Sequence, residues 1–168
     1  VGVKERRVCT TESNTDMGVA AALAALENAG VRPEELDMII GATISADTIS
    51  PGLAGMVQNR IGAHCPCFDM NVACPGFLFA LDVAAGFFAR GVVKKVLVVS
   101  SERMSGLIDW TDRSTCVIFG DGAGAAVLGE GDNYLSSTLS TKGGDDVISI
   151  PTKWDNSPSV SYTHLTLP

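Results

Sequence analysis

Residues 68–81 read Phe68-Asp-Met-Asn-Val-Ala-Cys-Pro-Gly-Phe-Leu-Phe-Ala-Leu81, and within this stretch a short strand gives way to a helix. The first three residues have the composition of a strand, and from Pro75 to about Arg90 the apolar residues follow a helical pattern. Pro75 suits the first helical position, where its missing N–H costs nothing, and Gly91 is a typical residue to end the helix. The stretch therefore predicts a strand-to-helix junction, with Cys74 immediately before the helix.

Helices and strands also alternate on both sides of this junction. A helix capped by Asn14 and Thr15 should end at Gly30, and a second helix should cover residues 53–61. Apolar runs predict buried strands at 36–43, 94–101 and 123–128, with further strand candidates at 134–141 and 147–150. This rhythm is typical of the α/β class, here a mostly parallel, layered sheet covered by helices.

Composition narrows the classes of partner. The chain has 168 residues, of which 46% are apolar, so it is long enough to bury one core as one domain or part of a larger one. Because 19 acidic residues outnumber 12 basic ones, charge alone would not bind it to nucleic acid or to anionic lipid. No stretch reaches the roughly 18 uncharged positions that a membrane-spanning helix needs. We expect no nucleic-acid partner and no membrane partner.

The five cysteines, at positions 9, 65, 67, 74 and 116, are odd in number and include no CxxC pair. This pattern favours neither a disulfide framework nor a zinc site, and it fits a reducing cytoplasm. The Cys65-Pro-Cys67 pair, which lacks other clustered ligands, is expected to pack in the core, and His64 beside it should lie at the surface or in a turn. We expect no metal and no cofactor.

Both ends of the sequence are unusual. It opens at Val1 without an initiator Met or a signal peptide, which predicts a chain entered partway. Val160-Ser-Tyr-Thr-His-Leu-Thr-Leu-Pro168 resembles the translation of a transposase sequencing adapter. We therefore divide the chain into a partial domain at 1–158 and a non-native tail at 159–168, in which Tyr162 and His164 carry no functional message.

Cys74 is the candidate nucleophile. Its sulfur should lie near the unpaired N–H groups that open the next helix and should face a cavity. The positive end of a helix dipole stabilises an anion and thus favours the thiolate. Gly76 would leave room for a substrate. The alternative interpretation is a buried cysteine that acts only as a small apolar side chain.

The segment Asn71–Leu81 resembles the nucleophile segment of β-ketoacyl-acyl-carrier-protein synthase III, a family of the thiolase superfamily, although Pro75 departs from the commoner Ser or Ala. The resemblance covers nearly all residues before the tail, and it matches the N-terminal half of that family without its first strand and helix. Its other pieces are Gly2-Val-Lys-Glu-Arg6, Ala29-Gly30, Val57-Gln58, Phe68-Asp69, Asp109-Trp-Thr-Asp-Arg-Ser-Thr115 and Phe119-Gly-Asp-Gly-Ala-Gly-Ala125. It implies the N-terminal half of a thiolase-like layered α/β fold.

The resemblance implies a condensing acyltransferase of fatty acid or related biosynthesis. An acyl group would pass from acyl-CoA to Cys74, and malonyl-acyl-carrier protein would then decarboxylate and attack the thioester. That second step requires a His, an Asn and one oxyanion-hole N–H from the C-terminal half, so this chain alone should not complete turnover. Arg113 matches the residue that holds the nucleotide end of coenzyme A, unless it is an ordinary surface or ion-paired Arg beside Asp109 and Asp112. The complete protein would be a homodimer.

Two other functions remain open on the sequence. The chain could be a noncatalytic partner subunit with a thiolase-like shell, which a lost nucleophile would favour and Cys74 disfavours. It could also be a Rossmann-like nucleotide-binding module, although no GxGxxG follows its first strand. The glycine cluster at 120–124 lacks the P-loop Lys, so it predicts tight backbone packing and a turn held by Asp121. If half of the fold is missing, a helix or sheet face should expose apolar side chains.

Overall fold

The computed structural model describes residues 2–144, 146, 148–150 and the backbone of 164–165. Three α-helices and a four-stranded sheet form its centre. The helices are α1 (Asn14–Ala29), α2 (Leu53–Ile61) and α3 (Gly76–Ala89), and the strands are β1 (Met38–Ala42), β2 (Cys67–Met70), β3 (Lys95–Arg103) and β4 (Asp121–Gly129). Short 3-10 turns lie at Pro33–Glu35 and Met104–Gly106, and β5 (Ile148–Ser149) pairs with β6 (His164–Leu165).

The sheet has the strand order β2-β1-β3-β4. β1 pairs in parallel with both β2 and β3, whereas β4 runs antiparallel to β3. Consecutive side chains of a strand point to opposite faces, and here each face is covered by helices. Ile39, Leu97 and Val99 pack with α1 and α2 on one face. Ile40, Val96 and Val98 pack with α3 on the other.

The three parallel strands end at the same edge of the sheet, because Ala42 is the register partner of both Met70 and Ser100. Three connections leave this carboxyl edge: residues 43–52 after β1, residues 71–75 after β2 and residues 104–120 after β3. Ligand sites of open parallel sheets form at such an edge, where loops from neighbouring strands meet. The topology therefore brings the Cys74 segment and the Arg113 loop to one edge.

α3 is apolar on almost every side. Its sequence, GFLFALDVAAGFFA, holds one charged residue, Asp82, and only Gly76, Ala80 and Ala84 are buried. Leu78 is 62% exposed. A helix that is apolar all round is normally enclosed, so the exposed side of α3 confirms the expectation of an uncovered apolar face.

Most of the predicted elements are confirmed, with boundaries shifted by one or two residues. α1 ends at Gly30, which has the left-handed conformation, as expected. The predicted N-cap, however, is wrong by one residue. Ser13 is the N-cap, and its side chain and backbone exchange hydrogen bonds with Asp16 in a capping box. Asn14 and Thr15 lie inside the first turn and are buried there.

One strand prediction and one turn prediction need correction. Residues 134–141 form no strand, and Leu135 in that segment is 90% exposed, so its apolar side chain has no core to join. The glycine cluster, apart from Gly120, lies inside β4 rather than in a turn. Only Gly120 is tightly packed, since a Cβ there would lie 3.1 Å from the Arg7 carbonyl oxygen, whereas Gly122 and Gly124 face open space. The candidate at 147–150 contains β5.

The predicted tail at 159–168 lies outside the described residues except for the backbone of His164 and Leu165, which pairs with Ser149 and Ile148. Its origin therefore stays a prediction. Within the described part of the chain, no helix is both long enough and apolar enough to cross a membrane.

Candidate active site

Cys74 lies at the junction between β2 and α3, as the sequence predicts. Ala73 before it has a φ of 51°, a left-handed conformation that is uncommon for a residue with a side chain. The Gly76 N–H donates to the Ala73 carbonyl oxygen over 3.0 Å and closes a tight turn around Cys74. α3 then begins at Gly76, so Pro75 is the N-cap rather than the first helical residue, and no side chain caps this N-terminus.

The turn around Cys74 sits directly on the end of β1. A Cβ at Gly76 would lie 3.0 Å from the Ala42 Cβ, so the absence of a side chain at Gly76 permits this close approach without a shift. The Ser100 hydroxyl donates to the Ala42 carbonyl oxygen over 3.1 Å and joins β3 to the same point. The first turn of α3 is therefore held against the carboxyl edge of the sheet.

Cys74 is exposed, so the interpretation of it as a buried apolar side chain is wrong. Its expected position facing a cavity also needs correction. An open concavity of about 400 Å³ lies at this edge, but its wall comes from Phe77, Ser100 and residues 122–125 of β4 and not from Cys74. β1 and β3 pack against α3, and the Tyr134 and Ser137 hydroxyls donate to the Asp82 carboxylate on the same helix. The Cys74 thiol stays open to solvent.

The other cysteines lie in different surroundings. Cys65 is buried among α2, β1 and α1 side chains and Cys67 packs at the margin of the same cluster, as predicted for core residues. Burial raises the pKa of the Cys65 thiol and that of the Cys67 thiol. Burial, with a contribution from Asp121, also raises the pKa of Cys9, whose sulfur lies 3.2 Å from the Met17 sulfur. These three thiols are disfavoured as thiolates. His64 is exposed, as expected.

Arg113 lies in the 104–120 connection and is exposed. The loop around it is shaped by local hydrogen bonds, in which Asp109 accepts from Thr111 and Asp112 accepts from Ser114. Among the described residues, no salt bridge joins Arg113 to Asp109. The segments that carry Arg113 and Cys74 thus leave the same edge of the sheet.

Three carboxylates that were given no role from the sequence hold the 43–52 connection and the start of α2. Glu102 at the end of β3 accepts from the Ile44 N–H over 2.8 Å and from the hydroxyls of Thr43 and Ser45. Asp47 accepts from the Asn14 and Thr15 N–H groups at the start of α1. Asp69, at the end of β2, accepts from the Ala54 N–H over 2.7 Å. Acidic residues at the ends of predicted parallel strands were the available signal for Asp69 and Glu102.

Comparison with known proteins agrees with this geometry. The family model of 3-oxoacyl-[acyl-carrier-protein] synthase III matches residues 68–145. The β-ketoacyl-[acyl-carrier-protein] synthase III of Clostridium acetobutylicum is 46% identical over 154 residues, which are 89% of this chain and 47% of that protein. The chain thus spans about half the length of the curated relatives it matches.

Solved structures show the same relationship. The β-ketoacyl-[acyl-carrier-protein] synthase III of Thermus thermophilus superposes with a TM-score of 0.88 at 34% identity, over 98% of this chain and 54% of that one. The priming β-ketosynthase of the R1128 polyketide pathway gives 0.84 at 33% identity, over 98% and 52%. The fold is thiolase-like, and the chain belongs to the β-ketoacyl-[acyl-carrier-protein] synthase III family.

Proposed function

We propose that the protein of which this chain is part is a condensing acyltransferase that loads an acyl group from acyl-CoA onto Cys74. The observation that carries the proposal is the position of Cys74. It is an exposed thiol after a left-handed residue, at the uncapped N-terminus of an α-helix, on the carboxyl edge of the sheet. Strained backbone and unpaired helix N–H groups are features of nucleophile sites.

The loading step is a thioester exchange. The Cys74 thiolate attacks the acyl carbonyl carbon, a new C–S bond forms, the C–S bond to coenzyme A breaks, and coenzyme A leaves as its thiolate and takes up a proton. In this step the partial positive charge at the uncapped N-terminus of α3 would stabilise the anion that develops on the substrate carbonyl oxygen. Covalent loading keeps the acyl group at the enzyme for the second substrate.

Carbon–carbon bond formation would follow when malonyl-acyl-carrier protein loses CO₂ and its enolate carbon attacks the thioester, which returns Cys74 as the leaving thiolate. In this family a His and an Asn stabilise the enolate, and they would come from the part of the protein beyond this chain. The exposed side of α3 supports the proposal, since a further layer of the complete protein would cover it.

We assign Arg113 to the recognition of coenzyme A. Its exposed guanidinium suits contacts with a phosphate, and its loop shares the sheet edge with Cys74. The complete protein is proposed to be cytoplasmic, in keeping with its free cysteines, and homodimeric. Fatty acid synthesis and polyketide priming both fit the known relatives.

The decisive experiment is acylation of the full-length protein by acetyl-CoA, followed by intact mass and peptide mapping. We expect one acetyl group per chain on Cys74, and none in the Cys74→Ser variant. Cys9→Ser is the matched control and should acylate normally. Acylation at another cysteine with Cys74 unmodified would refute the mechanism. A chain that acylates nowhere would favour the noncatalytic partner subunit.

A further inference from the structure

β2 is an edge strand, and within the described residues it pairs only with β1. The course of the chain after Met70 therefore depends on contacts other than a second strand neighbour. One is the hydrogen bond from the Thr43 N–H to the Met70 carbonyl oxygen, at 3.3 Å. The others are made by the side chain of Asp69 and by the backbone at Gly76.

The Asp69 carboxylate fills the space left by the missing side chains of two glycines, Gly41 and Gly52. Gly41 is its register partner on β1, and a Cβ at Gly41 would overlap one carboxylate oxygen, while a Cβ at Gly52 would overlap the other. The oxygen over Gly41 accepts from the Ala54 N–H in the first turn of α2. This single side chain therefore fixes β2 against both β1 and α2, although the residue as a whole is exposed along the strand edge.

Gly76 makes the second close contact, on the opposite face of β1. Gly41 lies between Ile40 and Ala42, so its missing side chain faces α2 while that of Ala42 faces α3. Asp69 packs over Gly41, and Gly76 packs over Ala42. Residues 69–76 therefore wrap the end of β1 with one contact on each face, and Cys74 lies between the two contacts.

From this geometry we propose that Asp69 is a positioning residue that sets the location of Cys74 through the packing of its carboxylate over Gly41. The proposal rests on the function proposed above only for its kinetic consequence. Loss of the carboxylate frees one end of the 69–76 segment, so the Cys74 turn shifts from the end of β1. A misplacement of about 1 Å at a reacting atom can cost on the order of 100-fold in rate.

The test compares Asp69→Ala, Asp69→Asn and Asp37→Ala in the full-length protein. Asn keeps an oxygen that can accept from the Ala54 N–H. Asp37 is the matched control, because its carboxylate also accepts backbone N–H bonds, from Lys94 and Lys95, but at the opposite edge of the sheet. Hydrogen exchange of peptides covering residues 71–79 reports the position of the turn, and the saturating rate of acetylation by acetyl-CoA reports the reactivity of Cys74.

We expect Asp69→Ala to speed exchange in 71–79 and to lower the saturating acetylation rate by about 10-fold or more, with the half-saturating acetyl-CoA concentration unchanged. Asp69→Asn should restore most of the rate, and Asp37→Ala should change neither readout. Unchanged exchange in Asp69→Ala, or an equal effect of Asp37→Ala, would overturn the proposal. If the unmodified protein does not acetylate, the proposed function fails, and the exchange measurement alone decides the positioning role.

Discussion

Arg113 and Cys74, to which the proposed function gives separate roles, are held in place in different ways. Cys74 is held by backbone geometry, through the left-handed Ala73 and the contact of Gly76 with Ala42. Arg113 is held by a loop that is stabilised by local aspartate and hydroxyl contacts, and its own side chain is exposed. If Arg113 binds a phosphate of coenzyme A as proposed, its side chain can be removed without moving Cys74.

Arg113→Ala should therefore raise the half-saturating acetyl-CoA concentration by about tenfold, as expected for the loss of one exposed charge-assisted contact of about 1.4 kcal/mol. Alkylation of Cys74 by iodoacetamide should be unchanged, because it needs no coenzyme A. The control is Arg90→Ala, since the Arg90 guanidinium lies over the Phe87 ring at the far end of α3. Equal loss of acetylation and alkylation in Arg113→Ala would indicate misfolding instead.

At the scale of elements, glycines decide how closely β1, β2 and α2 approach. Gly41 and Gly52 leave the volume that the Asp69 carboxylate fills, and Gly18 in α1 lies 3.0 Å, measured from its absent Cβ, from the Leu53 side chain. Gly86 in α3 differs, since a Cβ there would meet nothing within 4 Å. The same residue type, glycine, therefore allows close packing at some positions and contacts nothing at others.

Gly41→Ala should destabilise the protein strongly, because the new methyl group displaces the Asp69 carboxylate and also approaches Ala54 at 3.2 Å. In an Asp69→Ala background most of that cost should vanish, giving a coupling free energy of about 1–3 kcal/mol in a double-mutant cycle of urea unfolding. Gly86→Ala is the matched control and should stabilise by about 0.5–1 kcal/mol, as alanine favours an exposed helix. If the effects of Gly41→Ala and Asp69→Ala on the free energy of unfolding are additive, the proposed packing of Asp69 over Gly41 is wrong.

For the whole molecule, the excess of acidic residues has a structural use. Asp47, Asp69 and Asp121 each accept a backbone N–H from another segment, so they tie helix starts and loops to each other and to the sheet. Asp16 accepts the Ser13 N–H within the capping box of α1. Hydrogen bonds from Ser13 and the ion pair with Arg60 lower the pKa of Asp16 to about 2. Burial acts to raise the pKa values of Asp47 and Asp121, but hydrogen bonds outweigh it and lower both.

Because these pKa values are lower in the folded state than in the unfolded chain, the carboxylates stabilise the fold above the unfolded pKa of about 4. That stabilisation is lost as the pH falls from about 4 toward the folded value of about 2 for Asp16. The free energy of unfolding, measured with urea, should therefore fall across this range. Asp47→Asn should flatten the decline, whereas Glu34→Gln, at an exposed carboxylate, should not. A flat profile for the unmodified protein would contradict this account.

The sequence by itself determined the α/β class, the position of most helices and strands, and the junction at Cys74. These follow from local signals: apolar period, proline at a helix start and glycine at its end. It missed the cap at Ser13, because three neighbouring residues are all good caps and only the contact of Asp47 with Asn14 and Thr15 separates them. It also assigned a strand to 134–141, where β-favouring residues meet no sheet.

Only the tertiary structure decided which residues surround the site. Three features depend on residues that are far apart in the chain: the antiparallel direction of β4, the exposure of Cys74 and the packing of Asp69 over Gly41. Strand direction depends on which edges pair, and a glycine can mark a turn, a helix end or a close contact. Local sequence leaves these choices open because the deciding neighbour is brought in by the fold.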